Sequence, residues 1–95
     1  MHIGVLKIQL YLPGCSSLKE KRSRIKPLQE RLQREFNVSV AEVDLQDIHQ
    51  SSLVAIALVN NNPALIQASF TKIESWVKDH FRDLEIQDTQ FEILF

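Results

Sequence analysis

Residues 6–22 read LKIQLYLPGCSSLKEKR, a strand, its stop and a helix start in immediate succession. Leu6, Ile8, Leu10 and Leu12 alternate with Lys7, Gln9 and Tyr11, the period of two that turns one face of a strand toward a core. Pro13-Gly14 ends the strand, since proline fixes φ and lacks a donor while glycine admits a turn. Ser17-Leu18-Lys19-Glu20 matches a capping box, in which the serine oxygen and the glutamate carboxylate each satisfy an amide that the first helical turn leaves free. Leu18, Ile25, Leu28 and Leu32 then recur at helical spacing and predict a helix to about Phe36. Pro27 falls inside it. At about 100° per residue it lies opposite the apolar stripe, where it is expected to bend the helix without ending it.

Beyond this stretch the same alternation of elements repeats. Residues 38–45 are valine-rich and strand-like, with Ala41, Val43 and Leu45 on one face, and residues 44–52 are polar enough to form a connection. Residues 53–59 make the most apolar strand. Asn60-Asn61-Asn62-Pro63 reads as a turn into a helix, with Asn62 as N-cap and Pro63 in the first helical position. Ile66, Phe70, Ile73 and Val77 carry that helix to about Phe81, and residues 84–95 read as a last strand that alternates imperfectly around Asp88. The order is strand–helix–strand, twice. Right-handed crossovers then give an α+β, ferredoxin-like βαββαβ sandwich, a four-stranded antiparallel sheet with two helices on one face. The apolar strands 2–12 and 53–59 belong in the centre, and the more polar ones at the edges.

Such a sheet keeps one face bare. Ile3 and Val5 of the first strand and Ala55, Ala57 and Val59 of the third are expected there, with Phe91, Ile93 and Phe95 added in one register of the last strand. An exposed apolar face usually marks an interface. The expectation is a homodimer packed through Ile3, Val5, Ala55, Ala57, Val59 and Phe91.

The 95 residues, 44% hydrophobic and 24% charged, suit a single domain spanning residues 1–95. Two glycines and three prolines leave little for linkers, and one cysteine excludes a disulfide scaffold or a four-cysteine metal site. No apolar run approaches the ~20 residues that cross a bilayer, and Met1 runs directly into a strand pattern with no basic-then-apolar leader. A soluble, cytoplasmic protein with no membrane partner is expected.

The net charge of −1 conceals an asymmetry. Lys19, Lys21, Arg22, Arg24, Lys26, Arg31 and Arg34 face only Glu20, Glu30 and Glu35 between residues 17 and 36, a local +4 that leaves −5 for the rest. These seven cations are the candidate polyanion-binding set, for RNA backbone or phosphate. Glu20 with Arg24 and Glu30 with Arg34 are also favourable i, i+4 pairs, which suit a helix that is merely solvated. Base stacking on the sheet is not expected, because the third strand has no aromatic residue and the first offers only Tyr11.

Catalysis finds little support. Cys15 precedes a helix start but has no histidine nearby in sequence to act as a base. Asp44, Asp47 and His49 are too loosely spaced to argue for a metal, and no glycine-rich phosphate loop is present. The expectation is a protein that is not an enzyme and needs neither cofactor nor metal.

The segments from Leu12-Pro13-Gly14-Cys15-Ser16-Ser17-Leu18-Lys19-Glu20-Lys21-Arg22 and from Arg34-Glu35-Phe36-Asn37-Val38-Ser39-Val40-Ala41-Glu42-Val43 resemble the bacterial YlxP-like family. That resemblance covers nearly the whole chain and implies a ferredoxin-like fold. Genes of the family often neighbour those of translation factors, which implies a ribosome- or RNA-linked role by association. In the family pattern a tryptophan commonly stands where this chain has His49, and a serine or other small residue where it has Cys15. The sequence thus points to an RNA- or ribosome-associated binding protein working through the first helix, with a protein–protein adaptor or homodimer as the alternative.

Overall fold

The computed structural model describes residues 1–94; Phe95, a candidate for the open sheet face, lies outside the described residues. The elements are β1 (His2–Tyr11), α1 (Leu18–Phe36), β2 (Ser39–Asp44), β3 (Ser51–Asn60), α2 (Pro63–His80) and β4 (Glu85–Ile93). They form one antiparallel sheet in the order β2-β3-β1-β4, the ferredoxin-like βαββαβ arrangement. The two apolar strands are central and the two polar ones are edges.

Local chemistry fixes each junction. Pro13 and Gly14 occupy the middle of a turn closed by the Cys15 amide donating to the Leu12 carbonyl at 3.2 Å, and Gly14 has φ +73. That is the type II geometry, which favours proline first and glycine second. The Ser17 hydroxyl accepts from the Glu20 amide at 3.1 Å. The Glu20 carboxylate reaches one residue further back than a capping box requires, accepting from the Ser16 amide at 2.7 Å. Pro27 is exposed and α1 runs through it unbroken. Asn37 ends the helix in the left-handed region (φ 52), with its amide donating to the Gln33 carbonyl. Asn62 caps α2 by accepting from the Ala64 amide.

The core lies between the sheet and both helices. Leu6, Ile8 and Leu10 of β1, with Leu12 just beyond its end, meet Ile25, Leu28 and Leu32 of α1 and Ile66, Phe70, Ile73 and Val77 of α2. Gly4 is what lets α2 settle so closely. A Cβ added there would stand 2.4 Å from Ile66 Cγ2 and 3.0 Å from Phe70 Cε2. The seam between the helices is aromatic: Trp76 lies edge-on to Phe36 at 5.6 Å and stacks on His80 at 4.6 Å.

Two bulges alter the expected faces. Opposite Gln9 and Leu10, β4 offers Asp88 and then Ile86, so Gln87 is the extra residue behind the imperfect alternation. The resulting register pairs Leu6 with Phe91 and Gly4 with Ile93, and directly paired residues share a face. Phe91 and Ile93 therefore lie on the helix side, not on the open face, and the Phe91 ring sits 6.1 Å from that of Phe70. In β2, Glu42 pairs with Val54 and Asp44 with Leu53, which makes Val43 the extra residue. Leu45 has left the strand with φ 62.

Candidate functional site

The helix carrying the charge divides its cations between two flanks. Its buried stripe consists of Lys21, Ile25, Leu28 and Leu32. A lysine in such a row must bring its charge to partners or leave it unpaired at a cost of several kcal/mol. Lys21 is 3% exposed, and its Nζ meets Glu42 Oε2 at 2.8 Å and the carbonyl oxygens of Leu45 at 2.6 Å and Ile48 at 2.8 Å. Three strong contacts match the three donors of an ammonium group. The Ser52 hydroxyl, fully buried in β3, donates to the same Glu42 oxygen at 2.6 Å. This node ties α1, β2, β3 and the 45–48 turn together.

Lys21 is therefore a correction to the expected polyanion-binding set: its ammonium is enclosed and fully engaged within the protein. Arg24 and Arg31 are also committed, on the opposite flank. Arg24 donates to the Pro13 carbonyl at 2.9 Å, to the Asp83 carbonyl, and through Nε to Asp83 Oδ2 at 3.3 Å. It thereby joins the turn after β1 to the turn before β4. The Arg31 guanidinium lies over Trp76 at 5.1 Å and over Phe81 at 5.2 Å, close enough for a cation–π contact with each.

Lys19, Arg22, Lys26 and Arg34 are exposed. Lys19, Arg22 and Lys26 follow one another at spacings of three and four, a single row on the flank that faces β2. Lys26 reaches Glu30 only at 4.0 Å, with both side chains mostly in solvent. Beside this row opens a cleft of about 450 Å³, lined by Leu18, Lys21, Arg22, Ile25, Lys26, Gln29, Glu42, Gln46 and Asp47. Its floor is apolar, from Leu18 and Ile25, and its inner wall is the Lys21–Glu42 pair. Its rim combines two cations, two amides and the exposed Asp47 carboxylate.

The sequence contained a signal for this wall. A lysine at the centre of an apolar stripe calls for an acid on the facing element, and Glu42 alternates with Val40 on the helix side of β2. The pairing itself depends on β2 lying beside β3, which no local pattern states.

The other candidates are placed as follows. Cys15 is 1% exposed, belongs to the core, and its Sγ contacts the Ser17 carbonyl at 3.4 Å. Asp44 at the end of β2 and Asp47 and His49 on the connection to β3 are exposed, and no group of three or more potential metal-ligating side chains gathers among the described residues. Hydrogen bonds from Ser16, the Cys15 thiol and the nearby Arg24 charge hold the Glu20 carboxyl below its usual pKa, the Ser16 amide most strongly. On the bare sheet face, Ile3, Val5, Ala55 and Ala57 are partly exposed and Val59 is 58% exposed. The β4 residues beside them are Gln90 and Glu92, paired with Lys7 and Val5. No helix among the described residues is long and apolar enough to cross a membrane.

Comparison with known proteins gives a match along almost the full length. The chain is 30% identical over 90 residues to the uncharacterized protein YlxP of Bacillus subtilis (strain 168), covering 95% of this chain and 97% of that one. Residues 3–91 match the family described as "Protein of unknown function (DUF503)". The match takes in β1, both helices, the charged row of α1 and the cleft, and this chain belongs to the DUF503 family.

Proposed function

We propose that this chain is a small non-enzymatic cytoplasmic binding protein that docks on RNA, free or within the ribosome, through the β2-facing flank of α1. The observation that carries this reading is the exposed row Lys19, Arg22 and Lys26, of which Arg22 and Lys26 border a cleft, while Arg24 and Arg31 on the other flank are engaged within the fold. Arg34 is also exposed, but three residues after Arg31 it lies toward the other flank, apart from this row. Phosphate neutralisation by such a row gives an affinity that falls with salt, with a log–log slope of about −0.7 for each phosphate contacted on a single strand. Three or four contacts give a slope of roughly −2 to −3.

The test is fluorescence anisotropy with a labelled single-stranded RNA across 20–200 mM salt, beside co-sedimentation with ribosomes. The triple variant Lys19→Glu, Arg22→Glu, Lys26→Glu should lose both associations and remain folded. Salt-independent binding, or binding retained by the variant, overturns the reading.

The apolar band of the open sheet supports a second reading, a protein–protein adaptor or homodimer that buries Ile3, Val5, Ala55, Ala57 and Val59. Sedimentation equilibrium at high micromolar concentration tests it. A dimer that Val5→Asp or Ala57→Asp dissociates is the expected result, and a strictly monomeric protein removes this reading.

A further inference from the structure

We propose that the cleft between α1 and β2 seats one unstacked RNA base, favouring bases that carry an exocyclic amino group, while Arg22 and Lys26 hold the adjoining phosphate. This inference rests on the RNA-binding reading and deepens it. A uniform basic surface binds backbone without regard to base, but this row borders a cavity whose size and chemistry differ from those of an open helix face.

The volume of about 450 Å³ falls within the ~300–1,000 Å³ usual for small-molecule sites. The side chains are graded from rim to floor. Arg22 and Lys26 are exposed cations at the mouth, where they outnumber the single exposed carboxylate of Asp47, while Leu18 and Ile25 supply the apolar surface against which a flat ring loses water. Gln29 and Gln46 stand on the helix and loop sides respectively, each with an amide that both donates and accepts. Proteins that take up single-stranded RNA divide the work between charge for the backbone, a stacking surface (an aromatic ring or an arginine plane) for the base, and polar groups for its edge; here the aliphatic Leu18 and Ile25 stand in for the aromatic surface.

The preference among bases follows from Glu42. Its Oε2 already receives Lys21 Nζ and the Ser52 hydroxyl, which fill its two acceptor positions. Oε1 takes part in neither contact, and the residue lines the cleft. One carboxylate oxygen with no donor of its own suits an incoming amino group, such as N6 of adenine, N4 of cytosine or N2 of guanine. Uracil offers instead an imide N–H between two carbonyl oxygens, which a carboxylate repels. Lys21 neutralises Glu42 from behind, so a base can approach the carboxylate without the full repulsion that its phosphate would otherwise meet.

The test titrates the full chain at 20 mM salt against four single-stranded probes: the ribo-oligomers A5, C5 and U5, and an abasic ribose-phosphate pentamer. One good hydrogen-bonded pair separates bases by about 1–3 kcal/mol, a factor of roughly 5–150. A5 and C5 should therefore bind at least about 5-fold more tightly than U5 and the abasic strand. Gln29→Trp fills the cleft from an α1 position that is not fully buried, and should bring A5 and C5 down to the abasic affinity with the abasic strand itself unaffected. Glu42→Gln, which keeps the shape, should narrow the A5-to-U5 ratio; Gln29→Trp keeps the test decisive where that variant fails to fold. Equal affinity for all four probes overturns the base seat and leaves the electrostatic reading standing. Binding of none overturns both.

Discussion

The two flanks of α1 carry similar residues and put them to opposite uses. On the flank toward α2, Arg24 and Arg31 are partly buried and engaged with Asp83, the Pro13 carbonyl, Trp76 and Phe81. On the flank toward β2, Lys19, Arg22 and Lys26 stand in solvent, the last two beside a cleft. Lys21 lies between them and is buried altogether. Seven cations on one helix therefore do not make one basic surface. What decides the role of each is its angle around the helix axis and what the neighbouring element offers there, not its distance along the sequence.

The largest effect expected of any cation on α1 belongs to Lys21. Removing one member of a buried ion pair usually costs about 3–5 kcal/mol, because the partner stays desolvated and unpaired. Glu42 keeps 21% of its side-chain surface in solvent, which places Lys21→Met near the lower end, at about 3 kcal/mol. The Leu45 and Ile48 carbonyls would also lose their donor. Urea unfolding should show this loss, and the Lys21→Met, Glu42→Gln double variant should lose less than the sum of the two single changes. Additive losses would mean that the pair does not act as a unit.

Arg24 comes next. Its guanidinium bonds two turns that are distant in sequence, and hydrogen bonds of charged groups contribute about 1.5–3 kcal/mol when well enclosed. Because Asp83 is 60% exposed, Arg24→Ala should destabilise by about 1–2 kcal/mol. For Arg31→Ala the loss should be nearer 1 kcal/mol, from the ring contacts and the stem packed against them. The fluorescence of Trp76 should report that change directly, since this is the chain's single tryptophan. If either arginine proves silent, the distinction between the flanks weakens accordingly.

Glu20 gives a smaller and pH-confined effect. Its carboxyl is held below the ordinary value chiefly by the Ser16 amide. A group whose pKa is lower folded than unfolded stabilises the fold fully above its unfolded value and loses that contribution as pH falls through the folded one. Melting temperature should therefore decline from about pH 4.3, the ordinary glutamate range, downward. Glu20→Gln should remove that part of the acid sensitivity and lower the melting temperature at pH 7. An unchanged acid profile in the variant would show that the cap contributes nothing.

The helix starts were legible in residues 13–20 and 60–63, and the central strands in residues 2–12 and 53–59, because caps, turns and periodicity are local. The YlxP-like resemblance agrees with the family match over residues 3–91. Phe91 was not legible. A single extra residue, Gln87, shifts which of its neighbours face the helices, and one-residue shifts invert a strand's faces. Lys21 was half legible: four residues before Ile25 it falls on the apolar stripe, but a lysine stem long enough to reach water offers a second outcome. Only the position of Glu42 across the cleft decides between snorkelling and burial. The cleft itself depends on three elements and a bulge, and no spacing in the sequence announces it.

The smallest expected effect on stability is the one that tests the other half of the comparison. Arg22 and Lys26 are exposed, and the Lys26–Glu30 contact at 4.0 Å joins side chains that are 74% and 61% exposed. Surface pairs of this kind contribute about 0–0.5 kcal/mol. The Arg22→Ala, Lys26→Ala variant should accordingly unfold within about 0.5 kcal/mol of the wild type. If these residues serve a ligand, the same variant should show a shallower salt dependence for RNA, by roughly 1.4 in log–log slope for two lost phosphate contacts. Stability and binding would then separate on a single helix: Arg24→Ala lowers the first and spares the second, while Arg22→Ala with Lys26→Ala does the reverse. A loss of stability in the Arg22, Lys26 variant comparable to that of Arg24→Ala would mean that both flanks hold the fold together, and that the exposed row is no more available to a partner than the buried one.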